Sequence, residues 1–346
     1  MGYGISKVSP CDTRALRQVD ALLEREGIRR DGNLDYIAAL YDEDYRVIAT
    51  GSCFGNTLRC FAVSHEHQGE GLLNQIITHL IEVQHERGNL QLFLYTKIGS
   101  ARFFGDLGFY EIARVDGTLV FMENRRDGFA RYLKRLEKTR AEGKSAALVM
   151  NANPFTLGHQ YLAETAAAAC DTLHLFIVSE DASLVPFSVR KELIKAGTAH
   201  LPNVVLHDSG PYIISSATFP SYFLKDEAAV IEGHARLDLE IFKKIAAALN
   251  VTARFVGEEP TSQVTGLYNC IMAEELPKAG IECRIIPRKA VGDQIVSAST
   301  VRKALQAGDM ETFRRLVPES TAVWFESPEA EPVLARIRAA SEVVHY

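Results

Sequence analysis

Asn151-Ala152-Asn153-Pro154-Phe155-Thr156-Leu157-Gly158-His159 follows an apolar run, 146–150, and precedes a helical-looking run, 160–169. Strand, turn and helix in that order is the setting in which open α/β sheets build anion sites. The turn lies at the carboxyl end of a strand, and the helix start presents backbone N–H groups with no intrahelical partner. Asn-Pro biases the chain away from helix at Asn153, and Gly158 permits close approach of backbone to a ligand. Thr156 and His159 stand three residues apart, about one helical turn, so a hydroxyl and an imidazole can address one phosphate group. The stretch therefore predicts a nucleotide or phosphate site in a parallel-sheet domain.

The residues around it alternate as a parallel sheet requires. Strands are expected at 146–150, 172–179, 204–207, 254–257 and 283–286, with a further short one at 213–216. Helices are expected at 158–169, 188–200 (capped by Ser188), 236–249, 267–276, 299–306 and 310–317. The segment TLHLFIVS at 172–179 is apolar on both faces, as in a buried parallel strand. These elements define a domain over 145–318, followed by an acidic, then helical tail, 319–346. Near the end of the domain, Val296-Ser297-Ala298-Ser299-Thr300-Val301-Arg302 places three hydroxyls at a helix start. A cation such as Arg302 in a first turn opposes the helix dipole unless an anion sits there, and its planar fork suits a phosphate. Arg190, near the start of its own helix, reads either as a second phosphate contact or as one half of a surface ion pair.

Upstream lies a different pattern. An amphipathic helix at 12–26, with Asp12 or Thr13 as its cap, leads into strand-like runs at 34–41, 47–53 and 58–63. Then come Gln68-Gly69-Glu70-Gly71, a long helix, a strand at 90–95, a helical stretch at 101–109, and closing strands at 110–115 and 118–123. This sets an N-terminal α+β domain over 1–125. The charged segment 126–144 has an apolar side of Phe129, Leu133 and Leu136 and reads as a linker helix ended by Gly143.

Composition bounds the function classes. At 346 residues the chain has room for two domains, and 47% hydrophobic with 24% charged residues is ordinary for a globular protein. A formal net charge of −6 argues against nucleic acid as a partner. No apolar run reaches the roughly 18 residues of a membrane span, and no secretory signal is visible, so no membrane role and a cytoplasmic location are expected. The six cysteines are scattered, with no Cys-x-x-Cys pair and no metal spacing; reduced thiols and no protein-held metal are expected.

The motifs resemble known families. Residues 5–125 resemble a GNAT-type acetyltransferase domain, with Gln68, Gly69 and Gly71 matching that family's pyrophosphate loop and so implying an acyl or pantetheine loop. Two departures stand out: Leu73 replaces a small residue, and Phe104 replaces the tyrosine that many members use as a general acid. Thr156-Leu157-Gly158-His159 and Val296–Arg302 together resemble the two signatures of the nucleotidyltransferase superfamily. That resemblance implies a Rossmann-like domain that binds ATP with Mg²⁺. His159, Thr156 and Arg302 would act on the phosphates. Asn153, Phe155, Gly158, Ser297, Ser299 and Thr300 would complete the phosphate site, and Gly257 and Glu258 would meet adenine. The order of domains, with the stretches 149–162, 212–225, 254–260 and 296–305, resembles the citrate lyase ligase family. The implied reaction is activation of acetate as acetyl adenylate with release of pyrophosphate. Acetyl transfer to the thiol of a phosphopantetheine-like arm on the citrate lyase acyl carrier subunit would follow, with release of AMP. The segment 212–225 would be a lid or acceptor loop. The alternatives are an adenylyltransferase acting on a phosphorylated acceptor, and a silent ATP or acyl-CoA binding module.

Overall fold

The computed structural model describes residues 4–213, 219, 222, 227–258 and 263–340. The chain divides into two compact units, Met1–Arg131 with Pro220–Gly233, and Tyr132–Phe219 with His234–Tyr346. No helix among the described residues is long and apolar enough to cross a membrane.

The first unit runs β1 (Ile5–Lys7), α1 (Thr13–Arg25), β2 (Tyr36–Tyr41), β3 (Val47–Phe54), β4 (Thr57–Val63), α2 (Leu72–Glu86), β5 (Phe93–Thr96), α3 (Ile98–Asp106), β6 (Tyr110–Val115) and β7 (Leu119–Glu123). Its seven strands lie in the order β1-β2-β3-β4-β5-β7-β6. Every pairing is antiparallel except β4 with β5, whose parallel ladder holds only Thr57 opposite Phe93 and Leu58 opposite Leu94. Asp12 caps α1 by accepting from the Ala15 N–H at 2.9 Å. The loop before α2 turns through Gly69 (φ +89°) and Gly71 (φ +75°), backbone that an L side chain strains. An apolar cavity of about 280 Å³ opens past the short β4–β5 ladder, lined by Phe61, Leu73, Tyr95, Phe103 and Phe104 among others. Leu73 and Phe104, the two departures from the acetyltransferase pattern, both face it. Tyr222 reaches the same cavity, its hydroxyl donating to the Tyr95 carbonyl at 2.8 Å. Gln68, Gly69 and Gly71 do not line it.

The helix expected over 126–144 is shorter, α4 (Gly128–Glu137), and the boundary between the units falls inside it.

The second unit contains β8 (Ser145–Met150), α5 (Leu157–Ala167), β9 (Thr172–Ile177), α6 (Phe187–Gly197), β10 (Val204–Asp208), α7 (Glu227–Leu249, from His234 on), β11 (Val251–Gly257), α8 (Gln263–Lys278), β12 (Glu282–Ile286), the hairpin β13 (Ala290–Val291) and β14 (Gln294–Ile295), α9 (Ala298–Ala307), α10 (Met310–Leu316), α11 (Glu319–Phe325) and α12 (Glu331–Ala339). Its main sheet is wholly parallel, in the order β10-β9-β8-β11-β12. The chain winds outward from β8 to β10, then crosses back to β11 on the other side. The carboxyl ends of β8 and β11 thus flank the switch point where such sheets open a crevice. Leu148, Leu175 and Phe255 pack on the sheet with Val301 and Leu305 of α9.

Three local expectations change. Ser188 does not cap α6; the helix begins at Phe187, whose N–H is accepted by the Asp181 carboxylate at 2.6 Å. Of the strand expected at 213–216, only 213 is described and it is not in a strand; 214–216 lie outside the described residues. The tail expected over 319–346 is helical, as read, but over its described residues, 319–340, it is not separate from the domain: Phe325, Ala330, Val333 and Ile337 belong to the same core as Leu148 and Phe255.

Candidate active site

β8 delivers the chain to Asn151 at the switch point, and the turn ends at Thr156, the N-cap of α5. There the sequence closes a reciprocal capping box. The Thr156 hydroxyl accepts from the His159 N–H at 3.4 Å, and His159 Nδ1 accepts from the Thr156 N–H at 3.1 Å. The Thr156 hydroxyl also lies 2.9 Å from Nδ1. A backbone N–H can only donate, so Nδ1 must be an acceptor. That assigns the proton of the neutral ring to Nε2, the nitrogen left for the cavity. Burial, then the charges of Arg288 and Arg302, pull the imidazole down to about 4, so the ring is neutral at pH 7.

The turn is held from behind. Asn153 accepts from the Val185 N–H through its side chain at 3.0 Å, and its carbonyl accepts from Arg302 Nη1. Phe155, expected at the phosphates, is fully buried and is not among the residues lining the cavity between the turn and α9. Its ring stacks on His159 with centroids 5.8 Å apart and abuts Gly197, where an added Cβ would stand 2.2 Å from a ring carbon. It is a backing plate for the imidazole. Gly158 sits under the Val296 carbonyl, 3.3 Å from where a Cβ would be.

Opposite the turn, α9 starts at Ser297, whose hydroxyl accepts from the Thr300 N–H at 3.1 Å. The Ser299 and Thr300 hydroxyls lie 3.0 and 2.8 Å from it. Arg302 is 3% exposed, and burial lowers its guanidinium to about 10, still charged at neutral pH. Its bond to Asn153 ties α9 to the turn after β8 across 149 residues.

These parts enclose one cavity of about 290 Å³. Asn153, Thr156, Gly158, His159, Gly257, Glu258, Ser297, Ser299 and Arg302 all line it. Of the residues expected at the nucleotide, Phe155 and Thr300 do not. Gly257 is pinned at the end of β11 by the buried Asn269, whose amide donates to its carbonyl at 3.0 Å. Arg190 is not a phosphate contact. It is fully buried and donates to the carbonyls of Val185, Asn151, Val178 and Glu180 and to the Asn151 side chain. Tyr161, Arg288 and Lys289 line the cavity without having been named as site residues in the sequence, and Asn151, within the opening stretch, lines it too without having been given a role. For Arg288 and Lys289 a signal existed, a basic pair directly after a strand end. Of 212–225, only 212, 213, 219 and 222 are described.

The cavity therefore presents a neutral N–H donor, two serine hydroxyls at a helix start and three cations, at the carboxyl edge of a parallel sheet. Such a set matches a polyanion whose charge must be met at several oxygens.

Residues 145–325 match the family described as citrate lyase ligase C-terminal domain. The chain is 38% identical over 317 residues to the [citrate [pro-3S]-lyase] ligase of Haemophilus influenzae, covering 90% of this chain and 95% of that protein. It is 38% identical over 330 residues to the enzyme of the same name from Escherichia coli, covering 93% of each. Among solved structures, Escherichia coli ElaA is 15% identical and is spanned in full by 36% of this chain, with a TM-score of 0.32.

Proposed function

The chain belongs to the citrate lyase ligase family, and on that footing we propose that it activates acetate with ATP and passes the acetyl group to the thiol of the prosthetic arm on the acyl carrier subunit of citrate lyase. It is an acid–thiol ligase. In the first step an acetate oxygen attacks the α-phosphorus, the bond to the β-phosphate oxygen breaks, and pyrophosphate leaves. In the second, the thiol sulfur attacks the acetyl carbonyl carbon, the bond to the AMP oxygen breaks, and the thiol proton passes to solvent. The alternatives of a dinucleotide-forming adenylyltransferase and a silent binding module are set aside, because the relatives matched over nine-tenths of the chain are ligases.

The observation that carries the ATP reading is the single cavity shared by the Thr156–His159 turn and the Ser297–Arg302 helix start, at the switch point of a parallel sheet. Neither step needs a covalent bond to the protein; positioning and charge stabilisation suffice. In this reading His159 Nε2–H donates to an α-phosphate oxygen as negative charge builds there. The neutral ring gives up no proton, and Thr156 holds it in the donating tautomer. Ser297, Ser299 and the free N–H groups of the first turn of α9 receive the β- and γ-phosphates, with Arg302 behind them. Gly257 and Glu258 would bring the end of β11 against the base, where their carbonyls, already accepting from Asn269 and Arg288, each keep a second lone pair. Mg²⁺ would arrive on the nucleotide, and the serine hydroxyls and the Glu258 carboxylate are hard oxygen donors that suit it. We place the reaction in the cytoplasm, where the six cysteines stay reduced.

The test is exchange of labelled pyrophosphate into ATP. It is expected to depend on acetate and to fall by at least about 10²-fold in His159→Ala. Absence of exchange with acetate and every other short carboxylate would sink the reading.

A further inference from the structure

Asn151 lines the cavity half-buried and has no part in the mechanism so far. It is the first residue after β8, and its side chain is held by the β9–α6 segment and by α6 itself. Arg190 Nη1 donates to Asn151 Oδ1 at 2.7 Å and to the Asn151 carbonyl at 3.0 Å. A guanidinium can only donate, so the amide cannot be turned round: its oxygen faces Arg190 and its nitrogen is the other end. Asn151 Nδ2 donates to the Ser183 hydroxyl at 3.0 Å. That uses one of its two hydrogens, and no described residue takes the second. Asn153, two residues on, repeats the arrangement. Its Oδ1 accepts from the Val185 N–H, and neither hydrogen of its Nδ2 has a partner among the described residues, although it is 6% exposed and lines the same cavity. Between the two, Ala152 holds φ at +50°, backbone that an L side chain strains. Both amides give their oxygens to the framework and keep N–H donors in hand.

Position on the sheet says which part of the reaction Asn151 meets. The proposed base lies at the end of β11, on one side of β8, and the proposed β- and γ-phosphates lie at the start of α9. Ser183 and Arg190 hold Asn151 from the other side, beyond the end of β9. An oxygen that attacks the α-phosphorus enters opposite the departing pyrophosphate, which leaves it the β8 end of the cavity. The chemistry agrees. A carboxylate loses its charge on becoming an acyl adenylate. A cation holding it would stabilise the reactant more than the product and raise the barrier, whereas a neutral N–H serves both. Met150 and Ala152, buried and on the same cavity wall, offer apolar surface to a methyl group.

We infer that Asn151 Nδ2 is the donor that holds the acetate carboxylate and stays on the same oxygen through both steps, with Ser183 and Arg190 as its positioning residues. The inference rests on the acetate-activating reading above. In the first step the other carboxylate oxygen attacks the α-phosphorus and the bond to the β-phosphate oxygen breaks, so the held oxygen becomes the acetyl carbonyl. In the second, sulfur attacks the carbonyl carbon and the C=O pair moves onto the held oxygen, where the N–H meets the new charge. The pair returns as the bond to the AMP oxygen breaks, and the thiol proton passes to solvent. Asn153, nearer Thr156 in the chain, is left for the phosphate side.

The experiment begins with the wild-type chain. If it exchanges no pyrophosphate with acetate or any other short carboxylate, the parent reading fails and the inference with it. Where exchange is present, Asn151→Ala removes the donor and leaves Arg190 its four backbone carbonyls. It is expected to raise the KM for acetate about tenfold and to lower kcat about 10²-fold, with the KM for ATP within about threefold of wild type. Transfer from synthetic acetyl adenylate to the thiol of pantetheine, which needs no ATP, should slow at least about tenfold in the same variant. Asn151→Asp separates a donor from a brace. Its carboxylate still accepts from Arg190 and Ser183 but offers no N–H, so it should exchange no better than Asn151→Ala. Exchange restored by Asn151→Asp to within about threefold of wild type would mark the side chain as a brace and overturn the assignment. So would a kcat and an acetate KM both within about threefold of wild type in Asn151→Ala, or a KM for ATP that rises as far as that for acetate. Should Asn151→Ala fail to fold, Asn151→Asp decides alone: wild-type exchange overturns the assignment, and a loss of about 10²-fold at an unchanged melting temperature upholds it.

Discussion

Replacing Gly197 by alanine tests the packing that aims the imidazole, from a position outside the cavity. Gly197 is the last residue of α6, and helix propensity alone favours the substitution by about 1 kcal/mol. Packing opposes it. An added Cβ would lie 2.2, 2.8 and 3.2 Å from three carbons of the Phe155 ring, where ordinary contact begins near 3.4 Å. The ring must retreat by more than 1 Å, and it is fully buried, with His159 stacked on it. Overpacking of this kind costs about 1–3 kcal/mol, and so large an overlap belongs at the upper end. Net of the helix gain, a loss of about 2 kcal/mol is expected, or about 4–8 °C in melting temperature for a unit of this size. Because the ring backs His159, a displacement near 1 Å is also expected to lower pyrophosphate exchange by about 10²-fold. Thermal unfolding and exchange are measured on the same preparation, together with Gly197→Ala/Phe155→Leu, whose smaller side chain should restore part of both. A single variant that melts at or above wild type and exchanges normally would show that the ring has room to slide and that the backing-plate account is wrong.

Ser297→Asp separates capping from anion binding. Aspartate caps as well as serine does, so stability should hold within about 0.5 kcal/mol, while its charge beside the proposed phosphates should weaken ATP binding at least tenfold by calorimetry. Ser297→Ala should instead lose about 1 kcal/mol of stability, because the Thr300 N–H loses its acceptor. Arg190→Lys keeps the charge but cannot reach four separate carbonyls. A loss of about 3–5 kcal/mol is expected in denaturant unfolding, and a loss below 1 kcal/mol would contradict its structural role. Stability should also depend on pH through buried imidazoles. His174 and His207 lie 2.9 Å apart, and burial lowers each to about 4, as it does His159. The folded chain then binds fewer protons than the unfolded one between the ordinary histidine value near 6.5 and 4. Stability is thus complete above about pH 6.5 and falls as pH drops to 4, by a few kcal/mol from this pair. The double variant His174→Leu/His207→Phe should flatten that slope in denaturant titrations at pH 4.5 and 7.

The parts legible in the sequence were those with a local cause. The strand–turn–helix at 146–169 and the hydroxyls before α9 declare themselves through period and capping chemistry within a dozen residues. Their meeting in one cavity was implied by the two motifs together. What was missed depends on distant partners. An arginine in the first turns of a helix reads the same whether it faces a phosphate or, like Arg190, turns under carbonyls 5 to 39 residues away. Phe155 lies within the motif yet faces α6, and only the absence of a side chain at Gly197 explains why. Arg288 and Lys289 escaped because the hairpin after them has two-residue strands, too short to show alternation. Helices of seven residues, such as α11, likewise give too little period to distinguish a packed element from a tail.

The helices after residue 318 have a temporal consequence. α12 packs against α9, Gln306 donates to the Ala340 carbonyl at 2.8 Å, and Arg336 donates to the Ser183 carbonyl at 3.0 Å. Ser183 in turn bonds Asn151, the first residue of the turn at the cavity. A chain emerging from the ribosome can thus finish its seven-stranded N-terminal sheet, apart from what 220–233 adds, long before the cavity walls have their supports. The residues proposed to handle ATP would stay loosely held until nearly all of the protein has been made.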